Sequence, residues 1–116
     1  MKDFKQLMIW QKSMDLFINI HKMAAKLPSS EKYEISSQLK RAAFSIPSNI
    51  AEGSAKATNA HYKVFIENAL GSAYETETGL IAISRLYENL KEEVNVLLER
   101  TTEIQRMLIG FTNKLK

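Results

Sequence analysis

Two imidazoles, His21 and His61, are the only side chains of this 116-residue sequence suited to nitrogen ligation or proton transfer near neutral pH. A dinuclear metal centre inside a helical bundle needs Glu-x-x-His on two helices and two further glutamates. Ile18 and Thr58 stand three residues before His21 and His61, so that pattern is missing and each His is expected on the surface or at a cap. There is no Cys, which excludes thiolate metal sites, thiol nucleophiles and disulfides. Ser37-Gln38-Leu39-Lys40 spells the Ser-x-x-Lys of penicillin-recognising hydrolases. Its companion Lys-Thr-Gly and Ser-Asp-Asn elements are absent, and the chain is too short for that fold. Gly71-Ser72 lacks the following Lys of a phosphate loop. Glu75 and Glu77 are two apart, so on a helix they diverge by about 200° and cannot share one substrate as acid and base. The expectation is a non-enzyme with no catalytic residue, metal or cofactor.

The cations carry a different chemistry. Lys5, Lys12 and Lys26 keep a seven-residue spacing that Asn19 completes, and Lys22 lies one turn before Lys26. Lys40, Arg41, Lys56 and Lys63 extend this basic set. Such a stripe neutralises phosphates without reading bases, so these eight residues are the candidate nucleic-acid contacts. The competing reading is a solvated outer face, where Lys belongs by default. Net charge is only +3, but its distribution is uneven. Residues 1–63 hold ten Lys/Arg against five Asp/Glu, and residues 64–116 hold six against eight. That asymmetry suits a polyanion-binding face, or two halves that attract each other across helix contacts.

These side chains need elements to position them, and the pattern is helical throughout. Composition is that of an ordinary globular chain, 45% hydrophobic and 25% charged, and the length fits one domain spanning residues 1–116. Gly (4) and Pro (2) are too scarce for a sheet protein rich in tight turns. The longest early apolar run, Leu7 to Trp10, is too short for a signal peptide or membrane span, and there is no Asn-x-Ser/Thr acceptor. A cytoplasmic protein with no membrane partner is expected.

Ile9, Ser13, Leu16, Ile20, Met23 and Leu27 form one seam of a first helix over about 4–27, with Trp10, Met14, Phe17 and Ala24 beside it. Pro28-Ser29-Ser30 ends it. A second helix over about 31–55 carries Ile35, Leu39, Ala42, Ile46 and Ile50 on one face. Thr58 is the expected N-cap of a third, whose seam runs Tyr62, Ile66, Ala69, Ala73, Thr76, Leu80, Ile83, Tyr87 and Leu90. Asn89 with Glu92 reads as a capping box opening a fourth, with a seam from Val94 through Leu97, Thr101, Ile104, Leu108 and Phe111 to Leu115. Four such segments with short links fold most simply as an all-α, antiparallel, up-down-up-down four-helix bundle.

Pro47 falls inside the second helix, which predicts a kink: it removes one backbone bond and crowds the Ala43 carbonyl. Small residues surround it, from Ala42 and Ala43 to Ser54 and Ala55, and a second small patch holds Ala69, Gly71, Ser72 and Ala73. The two patches are expected to face each other. Asn49 then lies on the apolar side and needs partners. Ser72, Glu75 and Arg41 are the candidates for a structural or assembly network with it, within one chain or between subunits.

The string QLKRAAFSIPSNIAEGSAK (38–56) resembles the signature of the 23S rRNA-intervening-sequence protein family, also called S23 ribosomal proteins. LMIWQKSMDL, FIENALGSAYETETGL and IQRMLIGFTNKLK extend the likeness across the chain, with Lys40 where many members carry Arg. The resemblance implies a short antiparallel bundle assembling as a homopentamer. The fold is also similar to the accessory variability protein of diversity-generating retroelements, a basic pentameric barrel that engages nucleic acid and a reverse transcriptase. Two functions are compatible with this reading. One is a non-catalytic oligomer that binds RNA or other nucleic acid through its basic face. The other is a scaffold that binds a protein partner, its cations serving solubility.

Overall fold

A computed structural model describes residues 3–31 and 33–115, and every regular element among them is helical. Four α-helices make the body: α1 Met8–Ala24, α2 Ile35–Ser54, α3 Asn59–Leu86 and α4 Lys91–Lys114. Short 3-10 turns cover Phe4–Gln6, Ser29–Glu31 and Glu88–Leu90. The first segment is not one helix from residue 4. Asp3 caps the Phe4–Gln6 turn by accepting the Lys5 N–H at 3.0 Å, and Leu7 is extended before α1 begins. Thr58 caps α3 as its spacing suggests, its hydroxyl accepting the His61 N–H at 3.1 Å. Asn89 does not cap α4. It lies in a 3-10 turn, and Leu90 holds the cap position without a side-chain bond. Leu90 is drawn into the core at 6% exposure, which turns Asn89 out to solvent. Glu92 and Glu93 in the first turn of α4 offset the positive N-terminus instead.

Side-chain contacts fix the topology. Along α2, Leu39, Ser45 and Gly53 meet Gly79, Ser72 and Tyr62 of α3, so residue numbers rise on one helix as they fall on the other. Lys12 and Lys26 of α1 meet Glu103 and Glu93 of α4 in the same opposed sense. Tyr62 and Glu77 of α3 meet Phe111 and Gln105 of α4 likewise. Phe17 of α1 meets Phe44 of α2 edge to face, and among the described residues α1 and α3 each pack on α2 and α4 but not on each other. This is an antiparallel up-down-up-down bundle closed by α1 against α4. Its long axis of 44 Å matches the ~42 Å that 28 residues of α3 span at about 1.5 Å each.

The four seams bury one core, in which Leu16, Ile20, Ile46, Ile50, Ile66, Leu80, Ile83, Ile104 and Leu108 are all at 1% exposure or less. Ser13, Thr76 and Thr101 sit among them without cost because each hydroxyl donates to the carbonyl four residues back. Tyr87 and Phe111, at the seam ends, are only half-buried.

Helix α2 continues through Pro47, which is buried, and α2 and α3 share the most extensive interface of the bundle. Close approach is real, and of the glycines in the two small patches Gly53 permits it while Gly71 does not; Gly79, outside both patches, joins Gly53. A methyl on Gly53 would lie 2.8 Å from Tyr62 Cδ1 and 2.9 Å from Phe65 Cβ, and one on Gly79 would lie 3.1 Å from Leu39 Cδ1. Gly71 faces solvent with nothing within 4 Å of that position, because it is rotated away from its buried neighbours Ala69 and Ala73. Ser72 carries that patch's contact to α2.

Candidate nucleic-acid interface and polar network

His21 and His61 are both exposed, their rings 6.2 Å from Phe17 and 5.7 Å from Phe65. Among the described residues no three His, Asp or Glu side chains are grouped to hold a metal ion. Ser37 accepts a bond from Arg41 Nη2 at 3.3 Å, one turn along, and no Lys40 contact activates it. Glu75 and Glu77 diverge as helical geometry requires. Glu75 faces α2 across a cleft, while Glu77 is half-buried towards α4 and accepts the Gln105 amide at 2.9 Å.

The eight candidate cations do not form one stripe. Lys5, Lys56 and Lys63 gather at the end of the bundle built from the start of α1, the α2–α3 link and the end of α4. Lys22, Lys26 and Lys40 lie at the opposite end, where Lys40 borders a cleft with Ala24, Leu27 and Ser36. Lys12 and Lys26 are held by acids, Nζ lying 3.2 Å from Glu103 and 2.8 Å from Glu93. Both pairs join the basic first half of the sequence to the acidic second half, so part of the charge asymmetry is spent on packing α1 against α4. Their side chains remain 36–58% exposed, so each pair contributes at most about 1 kcal/mol. Lys22, Lys26 and Arg100 line an open groove of about 490 Å³ with Glu93, Asn19 and Val96. Lys56 Nζ lies 4.8 Å over the Phe65 ring.

The polar group around Asn49 is centred on a residue that the sequence pattern does not single out, Ser45. Asn49 Nδ2 donates to the Ser45 carbonyl at 2.8 Å and to Ser45 Oγ at 3.0 Å. Ser72 Oγ of α3 donates to the same Ser45 Oγ at 3.0 Å. Asn49 does not serve the Ala43 carbonyl that Pro47 strands, since a side chain folded back along its helix reaches the residue four earlier. Arg41, Ser45 and Glu75 border an open cleft of about 520 Å³ with Gln38 and Ala42. Arg41 and Glu75 are exposed there and do not pair with each other within the chain.

Two further contacts lie outside the sequence reading. Gln105 is 8% exposed beside Ile104, one position off the apolar seam, and only the packing of α3 on α4 reveals its partner. Glu31, in the α1–α2 link, accepts a hydrogen bond from the Tyr87 phenol and pushes its pKa above the usual 10.0. That contact ties the two links at one end of the bundle. Burial raises the Tyr62 phenol in the same direction.

The fold defines an all-α four-helix bundle. The chain belongs to the 23S rRNA-intervening sequence protein family, whose model matches residues 5–110. It is similar to the crystal structure of a protein of unknown function from the S23 ribosomal protein family of Bacteroides thetaiotaomicron VPI-5482. The two share 25% identity and a TM-score of 0.80, over 90% of this chain and 97% of that one. No curated protein matches. No helix among the described residues is long and apolar enough to cross a membrane.

Proposed function

We propose that this chain is a non-catalytic, self-assembling cytoplasmic protein that holds RNA or another nucleic acid on basic parts of its outer surface. The observation that carries the reading is the surplus of cations left over after internal pairing. Among the described residues Lys5, Lys22, Lys40 and Lys63 have no acidic partner within 4.0 Å, and Lys12 and Lys26 each hold a single, partly exposed carboxylate. Assembly as a homopentamer multiplies a weak surface: five copies at +3 carry about +15, and phosphate contacts on one strand then act together. Arg41 and Glu75 form no ion pair among the described residues and are available to a neighbouring copy. The test is retention of a labelled oligoribonucleotide through a salt series. Binding that weakens steadily with salt supports the reading, and no retention at low salt removes it.

A second reading, a scaffold for a protein partner, draws on Phe44. It is 51% exposed and stacks on half-buried Phe17 at an outward face of α1 and α2. Co-purification of one defined protein from nuclease-treated lysate, lost on Phe44→Ser, favours this reading over the first.

A further inference from the structure

The antiparallel fold rearranges charge in a way the linear sequence hides. One end of the bundle is built from residues 3–13, 46–70 and 106–115, and among these six Lys/Arg, one of them Lys12 paired with Glu103, stand against three Asp/Glu. The rest of the described chain forms the middle and the other end, where seven Lys/Arg face ten Asp/Glu. Each half of the sequence contributes to both ends, so the polarity belongs to the fold. At the basic end Lys5, Arg106 and Lys114 are exposed, and Lys56 and Lys63 are half-buried.

Aromatic rings are interleaved with these cations. His61 is exposed and tilted 50° against Phe65 at 5.7 Å, and Lys56 covers the Phe65 ring. Phe4, next to Lys5, meets Trp10 edge to face at 5.3 Å, and both rings are half-buried. Cations beside partly exposed rings suit a strand whose phosphates can be neutralised while its bases stack. A duplex hides its base faces and gains nothing from the rings. The rest of the described chain, where acids outnumber bases, offers that ligand no such surplus.

We infer that the basic end, around Lys56, Lys63 and His61, is a docking surface for single-stranded nucleic acid. The inference rests on the nucleic-acid reading above and assigns it a place and a strand state. Its test uses fluorescence anisotropy of a labelled 12-nucleotide mixed-sequence RNA, single-stranded and as a duplex. Wild type is compared with K56Q/K63Q at the basic end and with R85Q/K91Q at the opposite end, where both side chains are exposed and the change of charge is the same. The basic-end pair should weaken single-strand binding at least tenfold and flatten the slope of log K against log salt by about 1.4. The opposite-end pair should stay within twofold. His61→Ala, at an exposed position, should weaken the single strand at least about fivefold and leave the duplex unchanged. Equal losses from both pairs, or duplex binding as tight as single-strand binding, overturn the assignment while the nucleic-acid reading stands. Wild type that binds neither form at low salt overturns both. Unchanged circular-dichroism melting of each variant shows that the comparison is between folded proteins.

Discussion

The Ser45 hydroxyl accepts from Asn49 on its own helix and from Ser72 on the next, which makes it the polar hinge between α2 and α3. Ser45→Ala leaves two donors without that acceptor, and a loss of about 1–3 kcal/mol is expected in chemical denaturation. A double-mutant cycle with Ser72→Ala should show coupling of about 0.5–1.5 kcal/mol; additive losses would mean the hydroxyls do not interact. Glu75→Ala is expected to shift mass from oligomer to monomer, because Glu75 makes no hydrogen bond or ion pair with the other described residues; unchanged size would remove it from assembly. Tyr87 gives a pH signature. Folded Tyr87 holds its proton more tightly than an unfolded phenol titrating near 10.0, so its stabilising effect is present below that pH and lost as pH rises through the folded value. The melting difference between wild type and Tyr87→Phe should therefore shrink above pH 10; a constant difference from pH 8 to 11 would contradict the Glu31 contact. Residue types announced that Asn49 would need partners, but not that Ser45 would be the centre. Partner choice depends on helix rotation, which a sequence pattern does not state.

At the scale of the element, the seams were readable because every third or fourth position had to be apolar over four long helices, and that repeat survives small errors at the ends. The ends themselves were less readable. Asn89 and Glu92 had the letters of a capping box, yet burial of Leu90 set the chain direction and overrode them. The glycines show the same division. Gly53 and Gly71 both lie in small-residue patches, but only Gly53 is against another helix. Gly53→Ala should destabilise by about 1–3 kcal/mol as Tyr62 and Phe65 are displaced. Gly71→Ala should stabilise by about 0.5–1 kcal/mol, since an exposed helical Gly costs that much relative to Ala. Melting temperatures moving in opposite directions check both, and a stabilised Gly53→Ala would mean that the α2–α3 approach is looser than described.

For the whole molecule, an even +3 hides two dissimilar ends, and folding four helices back on one another created them. The sequence halves differed in charge and suggested either a binding face or mutual attraction. The structure shows the second in Lys12–Glu103 and Lys26–Glu93, and leaves a separate surplus at the end where α1 begins and α4 finishes. No motif could have announced that end, because its cations come from three segments that lie far apart in the sequence. The central claim is an oligomer that carries nucleic acid, and light scattering coupled to size-exclusion chromatography, before and after nuclease, tests it most directly. Five copies of a 13.2 kDa chain give about 66 kDa. The account predicts that mass after nuclease, preceded by a heavier species rich in 260 nm absorbance at low salt. A 13.2 kDa species with no nucleic acid, unchanged by nuclease, would contradict it.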